Sequence, residues 1–205
     1  MKEIFIERSL KLIETNNTLS FKERKKIIYG LTGLYVLITK FLILSIIALL
    51  SNSYSQFLLI LVVYGIERLY GFGIHMNSSL SCYIMSIILL NGGSILCKHI
   101  LIPLNIRCIL WIFIIINFIL YAPADTEKRP LIYADKRKHA KKMSLLILIF
   151  LLIISIKFPV YKNIIIYASF LETISINPLT YKTFNMKYNN YKTFERKWLK
   201  CSQIC

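Results

Sequence analysis

The sequence predicts an all-α, polytopic membrane protein with four to six membrane segments and an N-terminal amphipathic helix lying in the interface. Three observations carry this. Of 205 residues, 56% are hydrophobic, with a mean hydropathy of +0.58. Charged residues make up 18%, below the roughly 25% with which a soluble domain covers its surface. The 26 Lys and Arg outnumber the 10 Asp and Glu, giving a formal charge of +16. So much apolar side chain excludes a disordered chain. The apolar segments also exclude a soluble nucleic-acid binder, which would explain the charge alone. No alternating ten-residue pattern suggests a barrel, so lipid leaves helices.

The cations are clustered. Residues 1–26, 125–142 and 182–200 together hold 20 of the 26. Cytoplasmic loops concentrate Lys and Arg, which assigns all three clusters, both termini included, to the cytoplasmic face of a bacterial cell membrane. An even number of crossings must then separate each cluster from the next.

Taken in order, the elements meet that rule. Ile6, Leu10 and Ile13 recur at helical spacing beside Glu7, Lys11 and Glu14, a short amphipathic helix in the interface or packed on loops. Asn16-Asn17 ends it. Ser20 with Glu23 is a capping-box pattern that starts the next helix. Four apolar segments follow before the second cluster: Ile27–Leu50, Phe57–Ile66, Tyr83–Cys97 and Cys108–Ala122. Two more, Met143–Ile156 and Ile164–Ile174, precede the third. Several fall short of the ~20 residues a helix needs to cross ~30 Å of hydrocarbon. Gly92-Gly93 allows close helix packing or a break. The organisation reads as a membrane domain over residues 1–181 and a basic tail over 182–205.

The loop after the second segment carries the chemistry. It runs from Glu67 and Arg68 through Gly71, Gly73 and His75 to Ser78, Ser79 and Cys82, and the parity of crossings places it in the cytoplasm. A nucleophilic cysteine acts as its thiolate, which a nearby imidazole and a helix N-terminus both favour. His75 and Cys82 would lie ~10.5 Å apart along one straight helix, so the chain must bend between them. Gly71 and Gly73 supply a permissive backbone. With Ser79 as the cap, Cys82 falls in the first turn of the next helix. Arg68 and Glu67 are candidates for orienting His75 or a substrate, unless they simply pair with each other. The residues alone also allow a buried structural cysteine beside an interfacial histidine, in a non-enzymatic membrane protein such as an exporter subunit or assembly factor. No metal set and no cofactor motif is visible.

Gly-x-His followed by x6-Cys, directly after a short second apolar segment, resembles the accessory gene regulator B (AgrB) peptidases. Tyr121-Ala122-Pro123-Ala124-Asp125-Thr126-Glu127-Lys128-Arg129-Pro130 resembles that family's Tyr-Ala-Pro-Ala…Pro stretch and its basic run. Glu172 with Pro178 is a weaker third echo. Residues 1–180 follow the family in order, size and hydropathy, whereas Met76-Asn77 and the tail after Tyr181 depart from it. The resemblance implies a membrane cysteine endopeptidase with His75 and Cys82 as its catalytic pair. Its substrate would be an AgrD-like propeptide, cut at its acidic C-terminal tail through a Cys82 thioester and cyclised to a thiolactone or lactone quorum-sensing peptide. Gly73 and Ser79 would support the loop, and Lys136, Arg137 and Lys138 would meet the acidic tail unless they serve only topology and anionic lipid. The family also implies a homodimer in contact with membrane lipid.

Overall fold

The computed structural model describes residues 2–15, 20–74, 78–127 and 130–194. The elements are α1 (Lys2–Glu14), α2 (Phe21–Leu50), α3 (Tyr54–Gly71), α4 (Ser79–Ser86), a π-helical turn at Ile87–Asn91, α5 (Gly92–His99), α6 (Leu104–Tyr121), α7 (Ala134–Lys157), α8 (Lys162–Ile176) and α9 (Pro178–Thr183). No strand occurs among the described residues. Two compact units divide the chain at Leu50.

In the first unit, α1 packs on α2 through Phe5 and Tyr35, whose ring centroids are 5.5 Å apart. Leu10 is the buried residue of α1. The Ser20–Glu23 capping box forms as the sequence predicts. The Glu23 carboxylate accepts from the Ser20 backbone N–H at 2.9 Å, and the Ser20 hydroxyl accepts from the Glu23 N–H at 3.4 Å. Asn16 and Asn17 lie outside the described residues.

The second unit is built around α8, in which 11 of 15 residues are buried. Ala168, Ser169, Thr173 and Ser175 keep its surface narrow, so α3, α6 and α7 pack closely on it. Phe57, Ile60, Ile114, Phe118, Leu148 and Ile166 fill the space between them. Outward faces are apolar as well: Ile109, Leu120, Phe150 and Ile156 are all more than 60% exposed. In water such a surface would be an aggregation site; in a bilayer it meets its own kind.

Four helical stretches are long and apolar enough to cross a membrane: Phe21–Leu50, Leu80–His99, Leu104–Tyr121 and Ala134–Lys157. The second is longer than the Tyr83–Cys97 segment read from hydropathy, because α4, the π turn and α5 form one continuous rod. Gly92-Gly93 does not break it. Gly93 instead faces the Tyr167 ring so closely that any Cβ would overlap it. The Tyr167 hydroxyl donates at 2.8 Å to the Leu89 carbonyl, which lies within the π turn. Helices α3 and α8 are shorter or more polar, yet they run the length of the same bundle. At one end the Ser53 and Ser94 hydroxyls meet at 2.8 Å and Asn163 donates to the Ile100 carbonyl at 2.9 Å. At the other, the C-terminal ends of α3, α6 and α8 come together. The unit therefore makes five antiparallel passes.

Replacing Gly93 with leucine displaces the Tyr167 ring and strips the Leu89 carbonyl of its donor. Thermal unfolding in detergent micelles should show a loss of about 1–3 kcal/mol, the usual range for overpacking, with the chain still found in membranes.

Candidate active site

The C-terminal end of α3 does not stop where hydropathy suggests. Glu67 and Arg68, read from the sequence as loop, occupy the last turns of the helix. They can, because both find partners on α8. Glu67 is fully buried and accepts from the Ser169 hydroxyl at 2.6 Å. Arg68 does not pair with Glu67; it lies 3.5 Å from the fully buried Glu172 carboxylate, which also accepts from the Ser175 hydroxyl at 2.8 Å. The guanidinium donates to the Tyr64 hydroxyl at 2.6 Å, to the Ser175 hydroxyl at 3.3 Å and to the Ile74 carbonyl. One guanidinium nitrogen faces Tyr64, Glu172 and Ser175 and a second faces the Ile74 carbonyl, so the cation is held rather than tethered.

Beyond α3 the chain is pinned on two sides. Gly73 donates its N–H to the Ala124 carbonyl at 2.9 Å, and Ala124 donates to the Gly71 carbonyl at 3.0 Å. This is a one-residue bridge to the Tyr-Ala-Pro-Ala stretch. Ile74 donates to the Ser175 carbonyl at 2.9 Å. Gly73 has φ +76°, and a Cβ there would collide with the Ser175 hydroxyl. Gly71 is equally constrained, since a Cβ would sit 2.6 Å from the Glu172 carboxylate. Both glycines are therefore demanded by close approach, and Gly73 by backbone conformation too.

His75 lies outside the described residues, next in sequence to Ile74. The chain resumes at Ser78, which caps α4 by accepting the Ser81 N–H at 3.1 Å. The cap is thus Ser78, one residue earlier than the sequence suggests, because its extended backbone (φ −107°, ψ 145°) aims the hydroxyl at the helix end. Ser79 becomes the first helical residue. Cys82 donates its backbone N–H to the Ser78 carbonyl at 3.2 Å, closing the first turn, and is half-buried.

The basic start of α7 lies at the same end of the unit, where His139 contacts the Tyr70 ring. Lys136 and Lys138 are exposed, the former with its ammonium 5.0 Å over the Tyr133 ring. Arg137 is occupied within the fold. It donates at 2.9 Å to the carbonyls of Leu131 and Ile132 and lies 4.0 Å over the Tyr191 ring. Tyr64, Ser175 and Tyr181 are site residues that sequence reading misses. A signal for two of them was present: Tyr64–Arg68 and Glu172–Ser175 are helical neighbours at i,i+4 and i,i+3.

The sequence pattern of accessory gene regulator B matches residues 6–176. The chain belongs to the accessory gene regulator B family. It is 34% identical over 175 residues to a putative AgrB-like protein of Clostridium acetobutylicum, covering 83% of each chain. It is 34% identical over 174 residues to a putative AgrB-like protein of Listeria innocua, covering 83% of this chain and 84% of that one. The accessory gene regulator protein B of Staphylococcus epidermidis is 27% identical over 194 residues, covering 91% and 96%. No solved structure matches. Membership ties this membrane protein to accessory-gene-regulator quorum sensing.

A Gly73→Ala substitution must pay about 1–2 kcal/mol for a left-handed alanine and must also push Ser175 away. The AgrB-family chain should still insert in membranes. Its melting temperature in micelles should fall, and its propeptide processing should fall further than the stability change explains.

Proposed function

We propose that the chain is a membrane cysteine endopeptidase that removes the C-terminal tail of an AgrD-like propeptide and promotes its cyclisation. The observation that carries this is the placing of Cys82 in the first turn of α4, behind the Ser78 cap. The backbone leading to His75 is fixed on Ala124 and Ser175.

The chemistry follows from those groups. His75 takes the thiol proton of Cys82, which stands in the first turn of α4. Sulfur attacks the carbonyl carbon between the signal segment and its tail. As the C–N bond breaks, the imidazolium returns its proton to the departing amine. The signal segment stays on Cys82 as a thioester. An internal Cys or Ser of the substrate then attacks that carbonyl, the bond to Cys82 breaks, and a thiolactone or lactone leaves. One acyl bond replaces another, so this step needs no nucleotide. Hydrolysis would compete, and a site at the membrane face limits the water available to it.

Orientation follows from charge. The basic start of α7 and the Cys82 loop share one end of the unit, and Lys-rich segments stay cytoplasmic. This supports a cytoplasmic site, where an unprocessed propeptide would be met.

The cations supply a means of capture. Lys136, Arg137, Lys138, Lys141 and Lys142 stand in the first turns of α7. The positive end of the helix dipole opposes cations there. Helix stability therefore does not select them, and an acidic partner would. Lys136 and Lys138 are exposed for this role, while Arg137 shapes the loop beneath them.

Two tests follow. Co-expression with the propeptide should give a product one water lighter than the linear signal segment by mass spectrometry. Cys82→Ala and His75→Ala should each abolish tail removal; removal by both variants refutes the assignment. Changing Lys136 and Lys138 to glutamine should raise KM several-fold with kcat nearly unchanged and should flatten the dependence of KM on salt, as expected of steering charges. Unchanged KM would leave those cations to topology and lipid.

A further inference from the structure

The segment after α9 lies outside the span that matches the family pattern, which ends at residue 176. It nevertheless returns to the Tyr-Ala-Pro-Ala stretch, which pairs with Gly71 and Gly73. Asn185 (φ 51°) and Asn189 (φ 56°) turn the chain, using a left-handed conformation that asparagine tolerates. The return ends on Asp125, a carboxylate 2% exposed. Asp125 accepts the backbone N–H of Asn190 at 2.9 Å, of Tyr191 at 2.8 Å and of Leu131 at 3.3 Å. Three donors converge on one anion, and two of them come from the C-terminal segment. Hydrogen bonds to a charged acceptor are the stronger kind, and a buried one is costly to leave unmade.

Neighbouring contacts reinforce the join. The Asn190 amide donates to the Lys187 carbonyl at 2.8 Å and to the Asp125 carbonyl at 3.4 Å. Tyr188 packs edge-on against Tyr181, with centroids 5.1 Å apart, and its hydroxyl donates to the Tyr121 carbonyl at 3.4 Å. Burial pushes the Tyr188 phenol up to about 12, so it keeps the proton it donates. The Tyr181 hydroxyl reaches the carbonyls of Ala124 and Asp125, each at 3.2 Å. Arg137 closes over Tyr191.

Ala124 is the residue that exchanges backbone hydrogen bonds with Gly71 and Gly73. A continuous path therefore runs from the C-terminal segment through Asp125 and Ala124 to the Gly73 backbone, two residues short of His75. We propose that Asp125 is a positioning residue and that residues 187–191 form a built-in clasp, which holds the Ala124 strand and through it the reactive loop. The inference rests on the loop being the reactive one, as read above. Asp125 touches no substrate in this role; it acts through Ala124 and Gly73.

The test uses the full chain in lipid nanodiscs, comparing wild type with Asp125→Asn and Tyr191→Pro. The second change deletes one donor at a position where a helical turn begins and proline is tolerated. Three readings are taken: protease sensitivity of residues 187–194, deuterium exchange of the Gly73 and Ile74 amides, and kcat and KM for propeptide tail removal. In both variants the segment should become protease-sensitive and the Gly73 amide should lose protection. The kcat should fall about tenfold or more with KM within about twofold, as expected when reacting groups lose alignment rather than affinity. If Asp125→Asn does not fold, Tyr191→Pro decides. A released segment with unchanged Gly73 exchange and unchanged kcat overturns the proposal, and so does a segment that stays protected in both variants. Exchange is independent of turnover, so a failure of the peptidase reading, seen as processing by Cys82→Ala, is distinguishable from a failure of the clasp.

Discussion

The structure turns on the pairing of Arg68 with Glu172. A fully buried carboxylate and a cation sit at the end of an apolar bundle, 3.5 Å apart. The fully buried Glu172 depends on its partners, because a buried charge left unpaired is strongly destabilising. The pair joins α3 to α8, the helix about which the second unit is built. It also explains why the polar end of α3 stays helical. Both glycines are shaped by its neighbourhood, Gly71 by the Glu172 carboxylate and Gly73 by Ser175, which is bonded to both charges.

The same pair links packing to chemistry. A guanidinium held by Tyr64, Ser175, Glu172 and the Ile74 carbonyl has little freedom to move. An electrostatic group that is already oriented costs no reorganisation when charge develops on sulfur or on a carbonyl oxygen. Rigidity reaches the reactive loop from a second direction through Ala124, and the C-terminal segment stiffens that support. The site is thus assembled from the ends of α3, α4, α6 and α8, segments far apart in the chain, and a membrane-embedded bundle provides the fixed frame.

Much of this was legible in the residues. Hydropathy located every long helix, because a bilayer demands contiguous apolar surface and internal backbone pairing. The Ser20–Glu23 cap was legible because it is local, and so was the helix start that puts Cys82 in a first turn. What was not legible is what depends on distant partners. Glu67 and Arg68 read as loop because their acceptors, Ser169, Glu172 and Ser175, come about a hundred residues later. Arg137 read as a free cation because the carbonyls and the ring that occupy it belong to the folded loop and the C-terminal segment. Asp125 read as one more polar residue in a motif, since backbone donors leave no trace in sequence. The Ser78 cap was missed in favour of its neighbour Ser79, a choice that the backbone angles decide.

The central claim is that Cys82 becomes acylated. Intact-protein and peptide mass spectrometry should be run on the nanodisc-embedded chain after mixing with a propeptide whose cyclising Cys or Ser is replaced by alanine, so that the second step stalls. The account predicts an adduct on Cys82 with the mass of the propeptide less its C-terminal tail, labile to hydroxylamine as a thioester is. Tail release with Cys82 unmodified, or with the adduct on another residue, would contradict it.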